Sequence, residues 1–140
     1  MLLDTNVLSE FMRPNPAAQV VAWLDEQSAT AVWVSAISRA EIELGLTLIP
    51  EGKQQAALVR AAEAMFNEDF AGRCLPCDEA AASHHARLAA ARLQRGRPMS
   101  VEDAQIAAAA LAHDMRMTTR NAADFEWIGG LLLIHPWETV

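Results

Sequence analysis

The chain has 140 residues, 52% of them hydrophobic and 21% charged, and this composition predicts one globular domain over residues 1–140 and excludes a disordered chain. Eighteen acidic residues against 11 basic ones give a net charge of −7, the opposite of the balance usual in nucleic-acid binders. The apolar run 106–112 is far shorter than the roughly 20 residues that span a bilayer, and no signal peptide is visible, so we expect a cytoplasmic protein with no membrane contact.

The first half of the chain alternates short apolar strands with helices. Pro14 should end the first helix, and Asn15 is the expected cap of the next one. Ser38 is expected to start a helix that stops at Pro50. The predicted strands are 1–3 and 31–35, and the predicted helices are 6–13, 16–24, 38–49 and 51–66.

The second half continues the alternation. Gly96 should close an alanine-rich helix, and Ser100 should open the next one. The predicted strands are 73–75, 115–119 and 131–135, and the predicted helices are 78–95 and 100–114. Short apolar strands that alternate with helices predict an α/β fold with a mainly parallel central sheet.

Polar side chains follow two of these strands at the point where each strand ends. Asp4 comes directly after the first strand, and Asn121 and Asp124 follow the fourth. Functional groups of parallel α/β sheets gather outside the carboxyl ends of the strands, so these residues are expected to meet there. The structural alternatives are a helix cap for Asp4 and an ordinary polar turn for the run 118–125.

Glu41 and Asp103 each head a stripe of apolar positions that is expected to face the sheet. Glu43, by contrast, should point outward. The stripe after Glu41 is Leu44, Gly45, Leu48 and Ile49, and the stripe after Asp103 is Ile106, Ala107, Ala110 and Leu111. Each acid also stands three residues after a serine, so a capping box of Ser38 with Glu41, or of Ser100 with Asp103, is the alternative.

Carboxylates from distant parts of the chain thus fall at one predicted sheet edge. Like charges that converge in a partly buried pocket raise one another's pKa values and destabilise the fold, and a divalent cation removes that penalty. Ligation by oxygen alone suits Mg²⁺ or Mn²⁺ rather than zinc. Such a cation leaves coordination sites open for phosphate oxygens and water.

The basic residues and the cysteines allow more than one interpretation. Ten of the 11 basic residues are arginine, and the cluster Arg92, Arg95 and Arg97 either binds substrate phosphates or is a solvated helix end. Cys74 and Cys77 form a single C-x-x-C, which is either a redox pair or two half-buried thiols near a strand end.

Four segments also carry a resemblance to a known family. They are LLDTNVLSE at the start, SAISRAEIELG in the middle, SVEDAQIAA, and the ending from TRNAADF to HPW. They look like PIN-domain proteins, and most closely like the branch of VapC and FitB toxins of bacterial toxin–antitoxin pairs. The resemblance covers nearly the whole chain. It implies a Rossmann-like, three-layer α/β/α domain with four to five mainly parallel strands, which cleaves RNA with Mg²⁺ or Mn²⁺.

The resemblance also implies partners and roles. It implies a homodimer, and inhibition by a small DNA-binding antitoxin that covers the active site. The family's first three acids match Asp4, Glu41 and Asp103. Our hypothesis is that Asp4 and Asp103 hold the principal cation, directly or through water, while Glu41 orients or deprotonates the attacking water or helps to bind a second ion. The fourth family aspartate is Asn121 here, a neutral and weaker ligand, with Asp124 as an uncertain further one. Polar neighbours are expected to orient the carboxylates: Thr5, Asn6 and Thr119.

Two other functions compete with the nuclease. The same fold could serve as a PIN-like interaction module that binds a partner without cutting, for which Asn121 is the supporting feature. The chain could also be a thiol oxidoreductase built on Cys74 and Cys77, which would be indifferent to EDTA.

Overall fold

The computed structural model describes residues 1–96 and 99–138, in which short strands alternate with helices. The strands are β1 (Leu2–Leu3), β2 (Val34–Ser35), β3 (Cys74–Leu75), β4 (Met117–Thr118) and β5 (Leu133–Ile134). The helices are α1 (Thr5–Phe11), α2 (Ala18–Asp25), α3 (Ala36–Thr47), α4 (Lys53–Ala64), α5 (Glu79–Arg95) and α6 (Val101–Ala112). The predicted α/β alternation is confirmed.

All paired strands among the described residues are parallel. β4 lies between β1 and β5, and β2 pairs with β3. A single parallel bridge from Leu2 to Trp33, just before β2, joins the two ladders, and the Trp33 N–H donates to the Met1 carbonyl at 2.9 Å. The strand order is therefore β3-β2-β1-β4-β5, which confirms the expected parallel sheet.

Two hydrophobic cores lie on opposite faces of this sheet. Leu2 and Leu3 are both fully buried, and because successive strand residues point to opposite faces, Leu2 belongs to one core and Leu3 to the other. The Leu2 core is built mainly from α5, α6 and the segment around Phe125. The Leu3 core is built from α1, α3 and α4 with residues 65–70. The molecule thus has the expected three layers, α/β/α.

The second helix begins later than the sequence pattern predicted. The predicted cap at Asn15 is wrong, because α2 starts at Ala18 and its cap residue, Ala17, makes no side-chain hydrogen bond. The Ala17 N–H donates instead to a carboxylate oxygen of Glu10, at 3.0 Å. A carboxylate from α1 therefore accepts the hydrogen bond of the backbone N–H that directly precedes α2. The strands are also shorter than predicted, with two residues in each.

Helix α3 differs from the prediction in both its start and its buried face. Its cap is Ser35, whose hydroxyl accepts a hydrogen bond from the Ser38 N–H at 3.0 Å, so Ser38 does not start the helix. The buried residues are Ser38, Ile42 and Leu46. Leu44 and Leu48 are 61% and 75% exposed, so the predicted apolar stripe is wrong. The residues of α3 that face the Leu3 core are thus spaced four apart from Ser38 onward. The stripe that starts at Glu41 does not face that core.

The helices of the other layer follow the prediction closely. The Asp78 side chain caps α5 by accepting from the Ala81 N–H, and Gly96 ends it in the left-handed region at φ 67°. Ser100 caps α6, and Ile106, Ala107 and Ala110 are buried as expected. Within residues 1–96 and 99–138, no helix combines the length and apolarity that crossing a membrane requires.

Candidate active site

Asp4 lies between the end of β1 and the start of α1, and both of its carboxylate oxygens accept hydrogen bonds. Oδ1 accepts from the Thr5 N–H and Oδ2 from the Thr119 hydroxyl, each at 2.8 Å. The residue is only 3% exposed. Asp4 is therefore the cap of α1, as the structural alternative proposed, and at the same time a buried acid at the carboxyl edge of the sheet.

The environment of Asp4 disfavours its charged form. The pKa of Asp4 is raised to about 6, chiefly by burial and to a smaller extent by the negative charges of Asp103 and Glu41. The hydrogen bonds from Thr119 and Thr5 act in the opposite direction without cancelling the rise. Three acids from different parts of the chain therefore share one electrostatic environment.

Glu41 lies in α3 and reaches toward the start of α1. Its Oε1 accepts a hydrogen bond from the Thr5 hydroxyl at 2.8 Å, and that hydroxyl lies 2.8 Å from the Ser38 hydroxyl. The capping box of Ser38 with Glu41 is therefore absent, since Glu41 is held by Thr5 and the helix is capped by Ser35. Burial raises the pKa of Glu41, and the negative charges of Asp103 and Glu102 add to the rise.

Asp103 lies in the first turn of α6, where its N–H donates to the Ser100 hydroxyl at 3.0 Å. Burial raises the pKa of Asp103, and the charges of Asp124 and Glu102 add to that rise. Asp103 and Asp4 line one open groove of about 490 Å³. The other residues that line the groove are Thr5, Asn6, Ser9, Glu10, Arg13, Arg120 and Asn121.

The segment after β4 supplies the remaining predicted polar residues. Asn121 lines the groove, and its N–H donates to the Thr119 hydroxyl at 3.1 Å. Asn6 does not bond a carboxylate as expected, since its Oδ1 accepts from the Arg120 N–H at 3.2 Å. Asp124 is exposed in a short turn outside the lining of the groove, although its charge acts on Asp103.

The donor set fits a hydrated divalent cation better than a fully ligated one. Among the described residues, no three side chains of His, Cys, Asp or Glu lie close enough together to bind one ion directly. Mg²⁺ is usually held by one or two carboxylates and keeps several waters, which satisfies this geometry. A positive ion there would also favour the charged forms of Asp4, Glu41 and Asp103, whose pKa values are raised chiefly by burial.

Sequence reasoning missed a second charged cluster in the same groove. Glu10 is 3% exposed, and Arg13 and Arg120 lie beside its carboxylate, with nitrogen–oxygen distances of 3.2 and 4.0 Å. The hydrogen bond from the Ala17 N–H and the Arg13 guanidinium hold the pKa of Glu10 below its usual range. The Glu10–Arg13 spacing resembles an ordinary surface pair on a helix, so the sequence carries no signal that Glu10 is buried.

The predicted arginine cluster lies elsewhere. Arg95 is exposed, with its guanidinium carbon 5.6 Å from the centre of the Trp127 ring, and neither Arg95 nor Arg92 lines the carboxylate groove. Arg97 lies outside the described residues. A substrate-binding role for these arginines stays a prediction.

The two cysteines do not have the environment of a reactive pair. Both are free thiols; Cys74 is half-buried in β3, and Cys77 is exposed before α5. Burial raises the pKa of the Cys74 thiol, which lowers its reactivity at neutral pH. This environment does not favour the thiol oxidoreductase.

Comparisons of the sequence with known proteins show the family of the chain. The family model described as PIN domain matches residues 1–129. The chain is 38% identical over 137 residues to Toxin FitB of Neisseria gonorrhoeae, covering 98% of each chain. It is also 38% identical over 138 residues to VapC ribonuclease Y4jK of Sinorhizobium fredii, covering 99% of this chain and 98% of the relative.

Comparisons of the fold give the same result. The structure titled FitAcB from Neisseria gonorrhoeae superimposes with a TM-score of 0.87 at 37% identity, covering 99% of each chain. The structure titled FitAB bound to IR36 DNA fragment superimposes with a TM-score of 0.88 at 38% identity, covering 99% of this chain and 96% of the other.

Proposed function

Because this chain belongs to the PIN-domain family, we propose that it is a Mg²⁺- or Mn²⁺-dependent endoribonuclease and the toxin of a toxin–antitoxin pair. The names of its relatives, Toxin FitB and VapC ribonuclease Y4jK, support the proposal. The observation that carries it is the position of Asp4, a buried carboxylate whose pKa is raised chiefly by burial, in one groove with Asp103, an arrangement that a bound cation would favour. We further propose that residues 1–140 act as one domain in the cytoplasm.

In this proposal the acids have separate tasks. Asp4 and Asp103, which line the groove, hold the divalent cation directly or through its waters. Glu41 orients or deprotonates the attacking water, and Thr5 keeps its carboxylate in place. Thr119 orients Asp4, Asn121 forms part of the groove lining, and Asp124 acts on Asp103 from outside the groove through its charge. When bound, the cation supplies positive charge to the phosphoryl oxygens and acidifies coordinated water.

The proposed partners are RNA as substrate, a second copy of the chain in a homodimer, and a small DNA-binding antitoxin. Support for the antitoxin comes from the solved complexes titled FitAcB and FitAB bound to IR36 DNA fragment. An antitoxin that covers the active site should suppress cleavage when it is expressed together with this chain.

Cleavage of RNA by the purified protein tests the proposal. We expect cleavage with Mg²⁺ or Mn²⁺, loss of cleavage in EDTA, and recovery when the cation is supplied in excess. Asp4→Asn and Asp103→Asn should lower the rate at least about 100-fold without unfolding the protein. Asp25→Asn, at the exposed end of α2, is the matched control and should cleave normally. Cleavage that persists in EDTA, or at the normal rate in the Asp4 variant, would show that the carboxylates are not the active site.

Asn121 supports a second candidate, an inactive interaction module of the same fold. An amide replaces the fourth acid of the family at the rim of the groove, and it contributes no charge to a cation site. Calorimetry separates the two functions. The nuclease should take up Mn²⁺ in a manner that depends on Asp4 and Asp103, whereas the module should show no such uptake.

A further inference from the structure

We propose that Arg13 and Arg120 form a clamp for an RNA backbone phosphate beside the bond to be cut, and that Glu10 is the positioning residue that holds both arginines. This inference rests on the proposed ribonuclease function. It names the part of the substrate that the outer half of the groove binds.

Glu10 is a buried charge that the carboxylate cluster does not require. Only 3% exposed, it accepts hydrogen bonds from the Ala17 N–H at 3.0 Å and from the Arg13 guanidinium at 3.2 and 3.4 Å. A buried carboxylate is costly unless it is paired and hydrogen-bonded. These hydrogen bonds come from the turn that follows α1, and Arg120, in the segment after β4, approaches the same carboxylate to 4.0 Å, so Glu10 has both arginines beside it.

The two arginines remain available to a ligand. The side chains of Arg13 and Arg120 are 63% and 55% exposed. Each guanidinium approaches Glu10 through only one of its nitrogens. Two positive charges face one negative charge, so the cluster has an excess of one positive charge. A guanidinium has five N–H donors in a planar fork that matches phosphate, and most of them are unused by Glu10.

Arg120 is also held from two other directions. Its backbone N–H donates to Asn6 Oδ1 at 3.2 Å, and its guanidinium carbon lies 5.2 Å from the centre of the Trp137 ring. Because these contacts already restrict the Arg120 side chain, it loses less conformational entropy when it binds an anion. The site is therefore preformed.

The position of the clamp indicates which anion it binds. Arg13 and Arg120 line the same groove as Asp4, Asp103 and Asn121. A cation at the carboxylates can neutralise the phosphate that is attacked, but the chain as a whole carries a net charge of −7 and repels the neighbouring phosphates. The two arginines in the lining of this groove, whose side chains are more than half exposed, offset this repulsion for the next phosphate of a single strand.

Binding of a fluorescent oligouridine of about 12 nucleotides to an inactive Asp103→Asn background tests the clamp. Arg13→Gln and Arg120→Gln should each raise Kd about 3- to 10-fold and reduce the slope of log Kd against log salt by about 0.7. Arg60→Gln is the matched control, because Arg60 is exposed on α4 and outside the groove. In the active protein the same two substitutions should raise KM and leave kcat nearly unchanged.

The substitution Glu10→Gln distinguishes the role of Glu10 in positioning the arginines from the effect of its negative charge on RNA binding. The substitution makes the protein less negative, so charge alone predicts tighter binding of RNA. The clamp predicts weaker binding, and no further loss when both arginines have already been replaced. The arginine variants keep the proposal testable if Glu10→Gln does not fold.

Several outcomes would overturn the proposal. One is that Arg13→Gln and Arg120→Gln bind the oligonucleotide as Arg60→Gln does. Another is that they bind RNA normally but lose binding of an acidic peptide, because the arginines would then serve a protein partner. Binding is measured without cleavage, so an RNA-binding chain that never cleaves would contradict the proposed function while leaving the clamp supported.

Discussion

At the scale of single residues, the site concentrates negative charge where burial makes it unfavourable. Asp4 is 3% exposed and has a pKa of about 6, well above the usual 3.8. Between pH 3.8 and about pH 6, Asp4 keeps its proton in the folded protein but releases it in the unfolded chain. The free energy of unfolding of the metal-free protein should therefore fall as the pH rises through this range, and should stay low above it.

Asp4→Asn removes this penalty. At pH 7 to 8, in EDTA, the substitution should raise the free energy of unfolding by up to about 3 kcal/mol, the equivalent of the pKa shift. At about pH 3 and below it should give almost no gain, because Asp4 is then protonated in both states. Urea denaturation across the pH range measures the effect, with Asp25→Asn as control. A gain that does not change with pH would contradict the assigned cause.

Thr5 connects the acids through hydrogen bonds whose direction can be deduced. A carboxylate cannot donate, so the Thr5 hydroxyl donates to Glu41 Oε1. Its single proton is then used, and the Ser38 hydroxyl, 2.8 Å away, must donate to Thr5. Glu41 is therefore oriented by a chain of hydroxyls that begins in the buried part of α3.

Thr5→Val should break this chain while keeping the shape of the side chain. We expect RNA cleavage to fall about 10- to 100-fold, because the orientation of a group at a cation site depends on such neighbours. Thr5→Ser keeps the hydroxyl and should retain most of the activity. If Val and Ser variants cleave equally well, the Thr5 hydroxyl does not position Glu41.

At the scale of elements, the orientation of α3 decides where Glu41 points. Ser38, Ile42 and Leu46 turn toward the Leu3 core, so Glu41 lies at the border of that face, next to α1. Leu44 and Leu48 are left in solvent. The helix contains more apolar residues than its buried face can use, so hydrophobic periodicity alone does not define the face.

Alanine substitutions in α3 test this orientation. Ile42→Ala should lower the free energy of unfolding by about 2–4 kcal/mol, because it leaves a cavity in the Leu3 core. Leu44→Ala, a substitution of similar size on the exposed face, should cost less than about 1 kcal/mol. Urea denaturation gives both values. The reverse order would mean that the helix is rotated relative to the structure described here.

At the scale of the whole molecule, the net charge of −7 and the acidic site favour cation binding. A ligand that binds only the folded state stabilises it by about 2.7 kcal/mol at a concentration 100 times its Kd. Mn²⁺ or Mg²⁺ should therefore raise the Tm of the protein, and EDTA should reverse the rise.

Asp4→Asn and Asp103→Asn should abolish most of this cation-dependent rise in Tm, whereas Glu63→Gln, on the exposed side of α4, should keep it. Differential scanning fluorimetry at fixed ionic strength provides the measurement. An equal rise in all three variants would assign the stabilisation to general screening of the net charge rather than to the site.

Sequence alone determined the order of the elements and the parallel sheet, and it singled out Asp4, Glu41 and Asp103 as candidate site residues. The helix start at Ser100 and the stop at Gly96 depend on a few residues and were recognised locally, whereas the cap expected at Asn15 was wrong because the Glu10 side chain contacts the start of α2. The resemblance to a known family added the expectation of RNA cleavage to that local pattern.

Tertiary structure alone decided which residues share a face and which charges meet. The buried side of α3, the cap at Ser35 and the bond from Thr5 to Glu41 all depend on how α3 packs against α1. The cluster of Glu10 with Arg120 joins segments far apart in the sequence. Such contacts depend on long-range packing and on the removal of water, and neither leaves a periodic pattern in the local sequence.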